Sequence, residues 1–193
     1  MHPFEFYLKL GFEHIADIAA YDHILFLVAL CAVYRIEQWK KILILVTAFT
    51  VGHSVTLVLV SFDIFSIPSK IIKFLIPLTI FLTALHNVVG SDKTAKSLKM
   101  KRNYAMALFF GMIHGMDFSN YFKALIMDPS DIVIPLLGFN IGIELGQLLI
   151  VFFIVGIAFL FLNILKVKHR EWNLFISGAT AGMSLISIFD NIY

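Results

Sequence analysis

Asp22-His23, His53, His114 and Glu144 each interrupt an apolar run long enough to cross a bilayer. An ionisable group at that depth costs on the order of a few kcal/mol or more unless it is paired, hydrated or bound to something. Four separate segments carry that cost, so these residues read as one shared polar site inside a helical bundle. Imidazole nitrogen and carboxylate oxygen together suit Zn, Ni, Co, Cu(II) or Fe(II), whereas an all-oxygen set would suggest Ca or Mg. The chemistry expected is therefore the binding of a divalent transition metal ion, which would also offset the buried carboxylates. A neutral histidine binds through one nitrogen and needs a partner for the other, a role open to Asp22 or Asn140.

The elements that must position these residues follow from composition. Hydrophobic residues make up 60% of the 193 and charged residues only 15%, against roughly 45–50% and about 25% in soluble domains. Mean hydropathy is +0.89. The expected fold is an all-α, polytopic transmembrane helical bundle, a single domain over residues 1–193, with the lipid bilayer as its surroundings. A net charge of +2 with no basic face argues against a nucleic-acid partner. Cys31 is the one cysteine and lies in an apolar run, which leaves neither a disulfide nor a thiolate metal site and suits a small packing residue. The start, MHPFEFYLKLGFEH, lacks a basic region followed by an apolar core, so no cleavable signal peptide is expected.

Six spans can be drawn, over 14–34, 42–62, 71–90, 104–123, 134–163 and 173–192, each near or above the roughly 20 residues that cross the hydrocarbon core. The fifth is long enough that it must tilt, bend or project. Asp128-Pro129-Ser130-Asp131 before it reads as a turn and helix N-cap. The segments after spans 1, 3 and 5 hold eleven of the fifteen Lys and Arg; Lys9, Lys70, Lys73 and Lys123 lie on the other side. The positive-inside rule places the lysine-rich loops in the cytoplasm and both termini outside. The aromatic first dozen residues (Phe4, Phe6, Tyr7, Phe12) suit either an interfacial helix on the outer leaflet or an aromatic belt at the mouth of span 1.

Counted from the outer ends of these spans, His53, His114, Glu144 and Asp22-His23 share a level near the midplane. A second tier lies outward of it: His14 and Asp17 on span 1, and Asp117, Ser119 and Asn120 after His114. Asp190 and Asn191 belong either to that mouth or to a solvated helix end. Ser54 adjoins His53. Thr79, Thr83, His86 and Asn87 form a stripe on span 3, with His86 either an inner exit site for an ion or an interfacial histidine bonded to backbone. His2 and His169 sit in polar flanks. On span 5, Gly138, Gly142 and Gly146 make a small-residue face for close packing, beside a polar stripe of Asn140, Glu144 and Gln147. Glu144 reads as a metal ligand or as hydrogen-bonding glue between helices.

The stretches GFEHIADIAAYDHILFLVAL, TAFTVGHSVTL, GMIHGMDFSNYF and LLGFNIGIELGQL resemble conserved blocks of the HupE/UreJ family of bacterial membrane proteins, over roughly residues 11–150. That family is associated with hydrogenase and urease gene clusters and is regarded as nickel or cobalt permeases. The resemblance implies that His14, Asp22 and His23 form a metal motif on span 1, and that His114 with Gly115, and Glu144, form a second. It also implies a metalloenzyme maturation partner; the glycine-rich faces would equally allow a homo-oligomer.

Three functions follow from these residues. The first is a permease: metal enters at the outer mouth, dehydrates at His23, His53, His114 and Glu144, and leaves past span 3 toward His86. The second is an intramembrane metal-dependent hydrolase acting on lipid or peptide, with Asp22 or Asp117 as general base and Ser54 orienting substrate. No HExxH-like pair on one helix supports that reading. The third is a structural subunit whose polar residues lock the bundle. A continuous polar path to both sides favours the permease; a lipid-facing opening onto one closed metal site favours the hydrolase.

Overall fold

The computed structural model describes residues 2–18, 21–65, 67–89, 96–126 and 132–192, with backbone alone at 96–99 and 192. Within them the chain is helical, without strands: α1 (Pro3–Ala16), α2 (Asp22–Ala32), α3 (Trp39–Ser61), α4 (Ser69–Val89), α5 (Lys96–Leu125), α6 (Val133–Phe159) and α7 (His169–Ile192). Four stretches are long and apolar enough to cross a membrane: Ile36–Ser61, Ser69–Val89, Val133–Ile164 and His169–Asn191. They match the second, third, fifth and sixth expected spans. The fourth lies inside α5, where Tyr104, His114, Asp117, Ser119 and Asn120 dilute the apolar run. The long fifth stretch ends in a π-helical turn at Leu160–Ile164, where the α-helical repeat widens. Asp128-Pro129-Ser130-Asp131 lies outside the described residues.

The span expected over 14–34 is not one helix. α1 ends at Ala16, Asp17 at its C-cap is extended (φ −66°, ψ 115°), and α2 starts afresh at Asp22. The N-terminal segment lies lengthwise along α6. It is the body of α1, begun by Pro3 and capped by His2, whose Nδ1 accepts a hydrogen bond from the Phe4 amide at 3.3 Å. Tyr7, Gly11 and Ile15 recur every four residues and are buried against α6. The Tyr7 hydroxyl also donates to the Leu125 carbonyl at 3.0 Å.

Glycine makes that contact possible. A Cβ at Gly142 would strike the Leu8 carbonyl, and one at Gly11 the carbonyl of Phe139. The small face of α6 expected from Gly138, Gly142 and Gly146 is thus occupied by α1. Phe4 lies beside Gly138, Leu8 beside Gly142 and Ile15 beside Gly146, so α1 runs parallel to α6. Farther along α6, Val28, Cys31 and Ala32 of α2 share a cavity with Ile154, Val155 and Ala158. α1 and α2 therefore follow α6 head to tail, with their break beside its middle.

α3 and α5 pair equally closely: a Cβ at Gly52 would strike the Leu108 carbonyl, and one at Gly111 that of Phe49. α4 packs on α7. Asn87 of α4 donates to the Ala29 carbonyl of α2 at 2.7 Å, and Asn173 of α7 donates to the Asn87 carbonyl at 3.1 Å. In lipid, where burial of apolar surface drives helix association little, close backbone approach and such bonds hold a bundle together.

Candidate metal centre

The break between α1 and α2 brings two helix ends to one place. His14 sits in the last turn of α1 and His23 in the first turn of α2. α3 brings His53 to the same point, and α5 brings His114, because Gly115 lets its backbone lie directly on that of His53. One ligand nitrogen from each of His14, His23 and His53 lies within 4.8 Å of the other two. His114 completes the group, with its ring centroid 5.4 Å from that of His23.

Three of these imidazoles are buried and His14 is half-buried, and most of their ring nitrogens are unpaired. His53 and His114 are 0% exposed and His23 5%. Six ring nitrogens have no hydrogen-bond partner: Nε2 of His14, both nitrogens of His23, both of His53 and Nε2 of His114. An unmade hydrogen bond at a buried polar atom costs about 1–3 kcal/mol. A metal ion would satisfy several at once. His114 shows how: its Nδ1 lies 2.8 Å from the Phe110 carbonyl, so Nδ1 carries the proton and Nε2 presents a lone pair to the group.

Aromatic rings wall the site. Phe118 stands 4.2 Å from His14 between centroids, Phe49 5.1 Å from His114, and Phe139 6.1 Å from His53. Beyond His14 a cleft of about 440 Å³ opens, lined by Leu10, Phe12, Glu13, Ala16, Asp17 and Phe118. Phe26, 5.4 Å from His114, closes the opposite side. Past Phe26 and Phe110 lies a cavity of about 30 Å³ lined by Tyr34, Thr83, His86, Asn87 and Asn103.

The expected site residues divide accordingly. His14, His23, His53 and His114 are brought together. Asp17 lies on the cleft, exposed. Asp22 is half-buried with Oδ1 unpartnered, and Asp117 is exposed. Glu144 does not join the histidines: it accepts hydrogen bonds from Thr47 at 2.6 Å and Thr50 at 2.5 Å, on the α3–α6 seam. Asn140 and Ser54 bond to each other at 2.6 Å, so Asn140 orients no histidine. His86 accepts from the Arg102 guanidinium at 2.6 Å. Thr79 and Thr83 donate to carbonyls of their own helix. Asn191 bonds back to the Ser187 carbonyl, as a helix end would.

Sequence reasoning missed the Phe110 carbonyl and the walls formed by Phe26, Phe49, Phe118 and Phe139. The carbonyl one turn before His114 was a findable signal; the phenylalanines, among 20 in the chain, carried none.

The family described as HupE / UreJ protein matches residues 1–190. No curated protein and no solved structure matches the chain.

Proposed function

The chain belongs to the HupE/UreJ family, and from that premise we propose that it is a membrane permease for a divalent transition metal, with nickel or cobalt the first candidates. The observation that carries this reading is the buried group of unpartnered imidazole nitrogens supplied by His14, His23, His53 and His114. An all-imidazole set suits Ni, Co, Cu(II) or Zn, and disfavours Mg and Ca. Such a site holds a borderline metal without adding buried negative charge.

The surroundings support passage as well as binding. In this reading α1 and α2 form one broken crossing and α5 another, giving six crossings with both termini outside a bacterial cytoplasmic membrane. Broken helices that present their ends to an ion near the midplane are a recurring transporter device. The negative end of the α1 dipole at His14 favours a cation. Metal enters by the cleft beside Glu13 and Asp17, exchanges water for imidazole at the four histidines, and leaves through the cavity beside Thr83 and His86. Phe26 and Phe110 separate the two compartments. Polar space on both sides of the histidines fits a permease better than a hydrolase.

The test is uptake of radiolabelled Ni, Co, Cu or Zn into proteoliposomes. Flux that is saturable and lost in His23→Ala supports transport. Absence of flux for all four metals overturns it.

A further inference from the structure

Glu144 and its neighbours form a second constellation, outside the histidine group and of different chemistry. The carboxylate sits midway along α6, inside the candidate membrane stretch Val133–Ile164. Thr47 Oγ1 donates to its Oε1 at 2.6 Å, and Thr50 Oγ1 lies 2.5 Å from its Oε2. The same Thr50 oxygen lies 2.7 Å from Gln147 Oε1 and 3.2 Å from the Val46 carbonyl. One turn along the seam, Ser54 Oγ lies 2.6 Å from Asn140 Oδ1 and 2.7 Å from the Thr50 carbonyl.

Two mismatches stand out. The first is a shortage of hydrogens: Thr50 has one, and three oxygens converge on it. Gln147, only 1% exposed, turns its oxygen into this cluster while its Nε2 is buried without a partner. The second is charge. Among the described residues no Lys, Arg or His forms an ion pair with Glu144. Turning the Gln147 amide would answer the first mismatch and leave the second: a half-buried carboxylate inside the candidate membrane stretch that still lacks a cation.

We propose that the α3–α6 seam is a binding site for a small monovalent cation, of which Na⁺ is the type, held by Glu144, Thr47, Thr50 and Gln147. The donors are all oxygen, which selects a hard ion over the borderline metals that imidazole prefers. The formal charge is one carboxylate, which matches a single positive charge. Ser54 and Asn140 extend the oxygen row toward His53, the neighbour of Ser54 in the chain, and so tie the two sites through α3. Occupancy of this site stands independently of the permease reading; its use in driving metal movement rests on that reading.

The experiment is thermal unfolding of the purified protein in detergent, titrated with NaCl against choline chloride at equal ionic strength and fixed pH. The expected result is a saturable, Na⁺-specific rise in Tm. Glu144→Gln removes it and Thr50→Val weakens it at least tenfold in midpoint, while Thr50→Ser retains it. Nickel titration of the same preparations separates the two hypotheses: a nickel-dependent shift, whatever its size, remains in all three variants if the histidine site is intact, because none of them removes an imidazole. A wild-type protein without a Na⁺-specific shift overturns the proposal. So does a shift that survives Glu144→Gln, one that follows pH with no Na⁺ dependence, or a change from dimer to monomer in Glu144→Gln, which would make a second copy the missing partner.

Discussion

Replacing His53 by Phe separates the two roles a buried histidine can have. In the wild-type protein the ring is fully enclosed and neither nitrogen has a partner. Phe removes both orphaned atoms, each worth about 1–3 kcal/mol. It also inserts a larger ring between Phe49, Phe139 and His14, with strain of roughly 1–3 kcal/mol. The terms oppose each other, about 2–6 kcal/mol gained against about 1–3 lost, so without metal the His53→Phe protein should lie between about 1 kcal/mol less and about 5 kcal/mol more stable than the wild type.

With metal the two proteins part. At nickel one hundred times its Kd, a protein that binds only when folded gains about 2.7 kcal/mol. Changing a residue behind a ligand already lowers affinity roughly 10–100-fold, so loss of a ligand should weaken binding at least 100-fold. The variant then gains only about 0.4 kcal/mol at the same concentration. For a chain of this length that is a Tm rise of roughly 5–10 °C in the wild type against about 1 °C in the variant. Thermal unfolding with buffered NiCl₂ reads both numbers. An equal nickel shift in the two proteins refutes His53 as a ligand. A loss above about 4 kcal/mol without metal refutes the claim that its nitrogens are unpaired.

Gly52→Ala places a methyl group against the Leu108 carbonyl. It should lower stability by about 1–3 kcal/mol or more and abolish the nickel shift by parting His53 from His114, both read in the same thermal assay. Nickel affinity should fall in acid, because protons compete for the same nitrogens; calorimetric titration at successively lower pH checks the sign. Phe26→Ala removes the ring between His114 and the inner cavity. It should leave the bound-metal content unchanged and raise downhill metal flux in proteoliposomes. Unchanged flux would place the barrier elsewhere.

Depth was legible in the sequence and azimuth was not. Counting along apolar runs put His23, His53, His114 and Glu144 at one level, which needs only a rise per residue and a span end. Which neighbour each faces depends on helix rotation about its axis. Rotation here is set by backbone contacts at Gly11, Gly52, Gly111 and Gly142 whose partners lie far off in the chain. Glu144 shows the consequence: placed near the right level, it turns to Thr47 and Thr50 instead of the histidines. The break after Ala16 was hidden for another reason. No proline or glycine lies between Asp17 and Tyr21, so local propensity offered no stop. The same break resolves His14, which the count assigned to an outer tier. Once the chain leaves the helix at Asp17, the last turn of α1 and the first turn of α2 present both histidines at one point.

The separation of Glu144 from the histidines bears on selectivity. Had the carboxylate stood among the imidazoles, the site would have mixed a hard anionic donor with borderline neutral ones, and Mg²⁺ and Mn²⁺ would compete better there. In the proposed permease four imidazoles would instead discriminate by donor type, before geometry is considered. In the proposed Na⁺ site the carboxylate meets only oxygen donors, which would discriminate the opposite way. α3 carries both sets side by side, Thr47 and Thr50 toward Glu144 of α6 and His53 toward α1, α2, α5 and the Phe139 ring of α6. A rotation of α3 that served one ion would alter the other site, because Thr50 and His53 lie one turn apart on a rigid helix. Coupling between two cations of unlike chemistry therefore requires no relay of side chains here, only a single helix that carries both sets.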